Sequence, residues 1–154
     1  MFNSFLNPLL LNSLLSEWMT ILGKLSLSLL LGGLIGWERQ RDHKPAGLRT
    51  HILVSLGSTM FVMIPFHTEV SMTHSQIIQG VAQGIGFLGA GEIIRNPQAK
   101  NGQEQISGMT SAAAIWVAAA LGSIVGAGLY AIAIFGSIFT LVTLKVLKKL
   151  ETRI

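Results

Sequence analysis

Long apolar runs alternate with short charged stretches along this sequence, and the alternation predicts most of its architecture. An α-helix needs roughly 20 apolar residues to cross about 30 Å of hydrocarbon. Five runs approach or reach that length, and the first carries tryptophans at both ends, as interfacial anchoring requires. We predict an all-α membrane protein, a bundle of about five transmembrane helices over residues 18–37, 48–66, 77–94, 108–123 and 129–147.

The first 16 residues form a separate, more polar stretch. Their phenylalanines and leucines are interrupted by asparagines and serines. They lack the basic start and small-residue cleavage site of a signal peptide, and they are too short to span a bilayer. We therefore predict a short interfacial helix at the N-terminus.

Composition agrees with a membrane protein. Charged residues make up 12% of the 154 residues, against roughly 25% in soluble domains. We predict one transmembrane domain over residues 1–154, with no soluble C-terminal domain. Cysteine is absent, which excludes disulfides and thiolate metal sites.

The basic residues predict an orientation. Ten of the eleven fall within the stretches 38–49 and 95–107 or near the C-terminus, which five spans place on one side, and only Lys24 lies near the other face, where it can snorkel. By the positive-inside rule the N-terminus is outside and the C-terminus cytoplasmic. The clumps alternate with apolar runs and lack the exposed basic face of a nucleic-acid-binding protein, so we expect no nucleic-acid partner.

The charged island from Gly36 to His51 has two readings. It is either a solvated loop that fixes orientation, or part of a cluster in which Glu38 and Arg49 meet the inner end of the third helix. The residues of this candidate inner-face polar cluster are Glu38, Arg39, Arg49, Thr50, Glu92, Arg95 and Thr110.

Glu92 is the most informative acid, because it lies one turn inside Arg95 on a helix predicted to be buried. Ionisable groups at that depth are usually paired or functional. Glu92 is thus either one half of an interfacial ion pair, or, with Glu38, a ligand of a cation or proton site. No catalytic triad, Walker loop or paired acids in a cleft are found, so we do not expect an enzyme.

The third run is rich in glycine. Gly84 to Gly89 matches the dinucleotide fingerprint G-x-G-x-x-G, but that fingerprint needs a preceding strand and an exposed helix start. Inside an apolar run, such glycines indicate close helix contact, so we expect this helix to be buried. The predicted packing glycines are Gly32, Gly36, Gly84, Gly86, Gly89, Gly91 and Gly108.

Several short motifs resemble those of the MgtC/SapB family in order and spacing, over about residues 22–147. They are Gly32-Gly-Leu-Ile-Gly-Trp-Glu-Arg39, Ala46-Gly-Leu-Arg-Thr-His51, Gly84-Ile-Gly-Phe-Leu-Gly-Ala-Gly91 and Gly108-Met-Thr-Ser-Ala-Ala113. Arg95 also matches the family pattern by position. Glu92 occupies a position at which members of the family often have an uncharged residue.

The resemblance implies a five-helix protein of the cell inner membrane, with a role linked to magnesium homeostasis. The resemblance also implies a role that, in some bacteria, concerns survival inside host cells and regulation of the rotary ATP synthase. Two hypotheses follow. The first is a non-enzymatic protein, with no required cofactor, that modulates other inner-membrane proteins or itself, with a homodimer favoured. The second is a homo-oligomeric transporter of Mg²⁺ or another cation, with Glu38 and Glu92 at its inner site.

Overall fold

A computed structural model describes residues 8–67, 74–96 and 105–151. It contains five helices and one short hairpin. The helices are α1 (Pro8–Arg41), α2 (Leu48–His67), α3 (His74–Glu92), α4 (Met109–Gly126) and α5 (Tyr130–Glu151), and strands β1 (Ile94–Asn96) and β2 (Gln105–Ser107) pair antiparallel between α3 and α4. The predicted all-α membrane fold is confirmed.

Within the described residues, four helices are long and apolar enough to cross a membrane, namely α1, α2, α4 and α5. Helix α3 has 19 residues, which suffices in length, but it is not among these four. Its glutamines Gln76, Gln79 and Gln83 lower its hydropathy. Among the described helices, α3 is therefore the one least suited to being surrounded by lipid.

The N-terminal part of α1 differs from the prediction. Of the predicted N-terminal helix, residues 1–7 lie outside the described part of the chain. Pro8 to Ser16 continue without a break into the first span, so the two form one helix of 34 residues rather than two separate helices. The hydroxyl of Ser16 donates to the Ser13 carbonyl oxygen and that of Thr20 to the Ser16 carbonyl oxygen, so these polar residues are accommodated within the helix. At 1.5 Å per residue α1 is about 51 Å long, more than the hydrocarbon thickness.

Helix α4 is the centre of the bundle and contacts each of the other four helices. It can do so because its inward surface consists mainly of alanine, glycine and serine, which let neighbouring backbones approach. Larger side chains complete this core, including Leu31 and Ile35 of α1 and Val125 of α4 itself. The central position of α4 follows from its small side chains rather than from its length.

Glycines bring α2 close to two neighbours. A Cβ added at Gly32 or Gly36 of α1 would lie 2.8 Å from the backbone of α2, and one at Gly126 of α4 would lie 2.8 Å from the Thr59 carbonyl oxygen. At Gly122 a Cβ would collide with the Ser55 backbone. Helix α2 is therefore held between α1 and α4 at distances that only glycine permits.

Helix α3 contradicts the expectation of a buried glycine helix. Among its described side chains only Ile85 is buried, and a Cβ at Gly84, Gly86 or Gly91 would have no atom within 4 Å. Gly89 alone faces α4, 3.8 Å from the Ala112 side chain. The reason is geometric, since α4 covers one side of α3 and no described element covers the other.

Replacing Gly122 with alanine is expected to destabilise the protein by about 1–3 kcal/mol, the usual effect of overpacking a core. The new Cβ would press on the backbone of Ser55, which cannot rotate away as a side chain would. Thermal unfolding in detergent measures the effect.

Gly23→Ala is the matched control, because Gly23 is exposed on α1 with no atom within 4 Å of its Cβ position. It should leave stability unchanged or raise it slightly, as alanine favours helices over glycine by about 1 kcal/mol. Equal melting temperatures for the two variants would contradict the close contact at Gly122.

Candidate functional site at the charged end of the bundle

Charged residues from separate elements meet at one end of the bundle, called here the charged end. The Lys148 ammonium of α5 lies 2.6 Å from Oδ2 of Asp42, which directly follows α1. The Arg39 guanidinium donates to Oγ of Ser111 in α4, at a long 3.4 Å. These contacts join α1, α4 and α5 where the basic clumps of the sequence come together.

Glu38 and Arg39 form a buried pair in the last turn of α1. Their side chains are 8% and 3% exposed, and Arg39 Nη1 lies 3.7 Å from Glu38 Oε2, beyond hydrogen-bond distance. Glu38 Oε2 and Arg39 Nε have no hydrogen-bond partner among the described residues. A buried ion pair stabilises a protein only when its hydrogen-bonding groups are well satisfied. Because these two atoms lack partners in the described part of the chain, the pair contributes little to stability and could form further hydrogen bonds.

The Asp42 carboxyl lies outside the membrane-spanning part of α1. The Lys148 ammonium, 2.6 Å from Asp42 Oδ2, is the main cause that holds the pKa of Asp42 below its usual value, against the opposing effect of partial burial. The Arg39 charge acts in the same downward direction. Asp42 is therefore ionised throughout the physiological range and ties the end of α5 to the end of α1.

Glu92 ends α3 and is bonded to the loop between α1 and α2. Its Oε1 accepts a hydrogen bond from the backbone N–H of Ala46 at 3.1 Å. Gly108, which precedes α4, has φ 93° and packs against the Glu92 carbonyl group, so its position requires glycine both for conformation and for space. Glu92 thus connects three segments of the charged end.

The structure brings together only part of the predicted cluster. Thr110 lines a cavity with Arg39, whereas Arg49 is exposed and Thr50 is partly exposed, and neither makes a hydrogen bond or ion pair with another described residue. The side chain of Arg95 lies outside the described part of the structure. The ion-pair partner that the described structure gives Glu38 is Arg39 of its own helix.

A metal site at Glu38 and Glu92 stays a prediction. Within the described residues no group of three or more histidine, cysteine or acidic side chains is placed to hold a metal ion. The two carboxylates have different partners among the described residues, the Arg39 guanidinium for Glu38 and the Ala46 N–H for Glu92.

His51 is the residue that sequence reasoning missed. It is fully buried, its Nδ1 is 2.8 Å from the Gly47 carbonyl oxygen, and its Nε2 has no hydrogen-bond partner in the described chain. The sequence feature that could have identified it is a spacing of four residues, which places His51, Ser55 and Thr59 on one face of α2.

This face of α2 continues into a buried polar seam, defined as Lys24, Ser28, His51, Ser55 and Thr59. The hydroxyls of Ser28 and Ser55 are 2.8 Å apart, and that of Thr59 donates to Ser28 Oγ at 2.7 Å. At the far end, Lys24 is buried rather than snorkelling, and its ammonium donates to the Gly126 carbonyl oxygen at 2.8 Å. The seam runs from the charged end to the C-terminus of α4.

Apolar helices long enough to span a bilayer, with charged groups gathered at one end, define a polytopic membrane protein. The chain belongs to the MgtC family, which it matches over residues 25–153. No solved structure matches it.

Named relatives differ in length. The chain is 44% identical to Protein SrpB of Synechococcus elongatus over 143 residues, covering 88% of this chain and 79% of SrpB. It is 41% identical to the putative magnesium transporter YhiD of Escherichia coli, covering 85% of this chain and 62% of YhiD. It is 38% identical to Protein MgtC of Brucella abortus, covering 79% of this chain and 48% of that protein.

Asp42→Asn tests the ion pair with Lys148. Because the pKa of Asp42 is lower when folded than when unfolded, the stabilisation is present above the usual aspartate pKa of about 4 and is lost as pH falls through the lowered value. At neutral pH the variant should lose no more than about 1 kcal/mol, since the Lys148 side chain is half exposed to solvent.

Melting temperatures at neutral pH and at about pH 3 check this expectation, because the difference from wild type should shrink in acid. Arg49→Gln removes an exposed cation that makes no hydrogen bond or ion pair with another described residue, and it should show no such pH-dependent difference. A deficit in Asp42→Asn that persists undiminished in acid would argue against the ion pair as its cause.

Proposed function

We propose that this protein is a non-enzymatic protein of the cell inner membrane, linked to magnesium homeostasis, that modulates membrane partners by direct helix contact. Membership of the MgtC family and the name of the relative YhiD support the magnesium link. The distribution of basic residues supports a cytoplasmic location for the charged end. The mode of action rests on the glycine-bearing face of α3.

The glycine-bearing face of α3, which borders the groove between α2 and α3, is the observation that carries the proposal. Gly80, Gly84 and Gly91 recur at intervals of four and seven residues, which places them on one side of the helix. All three are exposed, and a Cβ at any of them would have open space around it. Glycines at this spacing allow a second helix to approach closely within a membrane.

Polar side chains on α3 also favour a partner. Gln79 and Gln83 are exposed near the middle of the helix, and neither makes a hydrogen bond to another described residue. An amide at that depth is poorly solvated by hydrocarbon and is stabilised by bonding across to another helix. An amide both donates and accepts, so a second copy of the same face is a complementary partner. A homodimer through α3 is therefore the favoured assembly.

The space beside α3 suits an apolar helix surface. A cavity of about 360 Å³ lies between α2 and α3, lined by residues such as Leu53, Phe61 and Leu88. Another of about 280 Å³ separates α3 from α4, next to Trp116. Both linings are almost entirely apolar, as contact surfaces within a membrane are.

Cation transport is the second candidate, and the polar seam favours it. Buried Lys24, the seam hydroxyls, His51, Glu38 and Arg39 form a series of polar groups in the interior of the bundle. In this conformation the seam hydroxyls bond to one another and to backbone carbonyl oxygens, including that of Gly122. Transport would require these contacts to open, whereas helix contact through α3 requires no rearrangement.

Cysteine crosslinking tests the α3 interface, because the chain has no cysteine of its own. In native membranes Gly84→Cys should give an oxidised product of twice the monomer mass, or a heavier adduct if the partner is another protein. Ile138→Cys, on an exposed part of α5, is the matched control and should stay monomeric. Equal crosslinking at both positions, or none at Gly84→Cys, would contradict the proposed interface.

Reconstitution distinguishes the two candidates. Liposomes that contain the purified protein and a Mg²⁺-sensitive dye should take up Mg²⁺ no faster than empty liposomes. Uptake that Glu92→Gln abolishes would establish transport and refute the modulator proposal.

A further inference from the structure

A basic cavity of about 280 Å³ lies at the charged end, between the last turns of α1 and α5 and the start of α4. Its cations are Arg39, Lys44 and Lys148, of which Lys148 also pairs with Asp42. Among the described residues, no carboxylate lines it. A cavity with this lining attracts anions.

Arg39 gives the basic cavity a buried binding group. It is only 3% exposed, its Nε has no hydrogen-bond partner among the described residues, and its contacts with Ser111 and Glu38 are 3.4 and 3.7 Å long. A guanidinium presents several N–H donors in a planar fork that matches the oxygens of a phosphate group. Arg39 therefore has donor capacity that the described chain does not use.

The start of α4 adds to the positive potential. The helix begins at Met109 after Gly108, with no side-chain cap and no acidic residue in its first turn, and Thr110 lines the cavity. The N-terminus of a helix carries partial positive charge and favours anions.

The remaining wall of the basic cavity is apolar and belongs to α5, where Leu144 and Leu147 lie beside the cations. Charged and apolar surfaces thus adjoin at the membrane face. This combination suits a phosphate group that carries a hydrocarbon portion, and basic pockets between transmembrane helices bind such headgroups in other proteins.

We propose that the basic cavity binds a phosphate group, either the phosphodiester of an anionic phospholipid or free phosphate. Arg39 and Lys44 contact the phosphate oxygens, and Leu144 and Leu147 contact the hydrocarbon next to them. The site does not depend on α3, so it stands or falls separately from the proposed interface.

Binding by the purified full chain tests the proposal. Native mass spectrometry follows retention of phosphatidylglycerol in a background of phosphatidylcholine, and thermal shift follows the response to inorganic phosphate. Lys44→Gln and Arg39→Gln should each weaken binding about tenfold, the scale of one lost hydrogen bond to a charged group. Lys145→Gln removes an exposed cation that does not line the basic cavity, and it should bind as wild type does.

Two results support the site and distinguish its ligand. Lys44-dependent retention of phosphatidylglycerol identifies a lipid headgroup, and a Lys44-dependent shift with inorganic phosphate alone identifies free phosphate. Absence of both, or equal weakening by Lys44→Gln and Lys145→Gln, would overturn the proposal in favour of no binding or of diffuse surface attraction. Lys44 is exposed in a loop, so its variant decides the matter even if Arg39→Gln does not fold.

Discussion

The contact of α2 with both α1 and α4 is the constraint on which the rest of the structure depends. Glycines on α1 and α4 remove the side chains that would hold the backbones apart, and the hydroxyls of Ser28, Ser55 and Thr59 then bond across the short distance. In lipid, where apolar surface alone gives helices no preference for one another, close packing and hydrogen bonds supply the specificity. The three helices form one closely packed unit, to which α3 and α5 are added.

This packed unit explains how charged side chains are kept buried at one end. Arg39 and Glu38 end a helix that packs against both α2 and α4, and their side chains are buried there with incomplete pairing. Removing either one alone would leave the other charge unpaired and buried, which typically destabilises a protein by about 3–5 kcal/mol. Surface contacts such as that of Asp42 with Lys148 contribute less, but they fix the end of α5 beside this pair.

Sequence reasoning predicted the helical membrane fold because length and apolarity alone decide which segments span. It failed at α3, since glycine content indicates close contact but does not say whether the partner lies in the same chain. It missed His51 for a related reason, because a four-residue spacing has meaning only once the inward face of α2 is known. The sequence could not identify the ion-pair partner of Glu38 either, because Arg39 and Arg41 both lie near it in the chain.

The hydrogen bond from Ala46 to Glu92 has a mechanical consequence. Helix α3 contacts the bundle mainly along α4, while its last residue is bonded to the loop that also carries Lys44. A tilt or slide of α3 against α4 would therefore have to break this hydrogen bond or carry the loop with it.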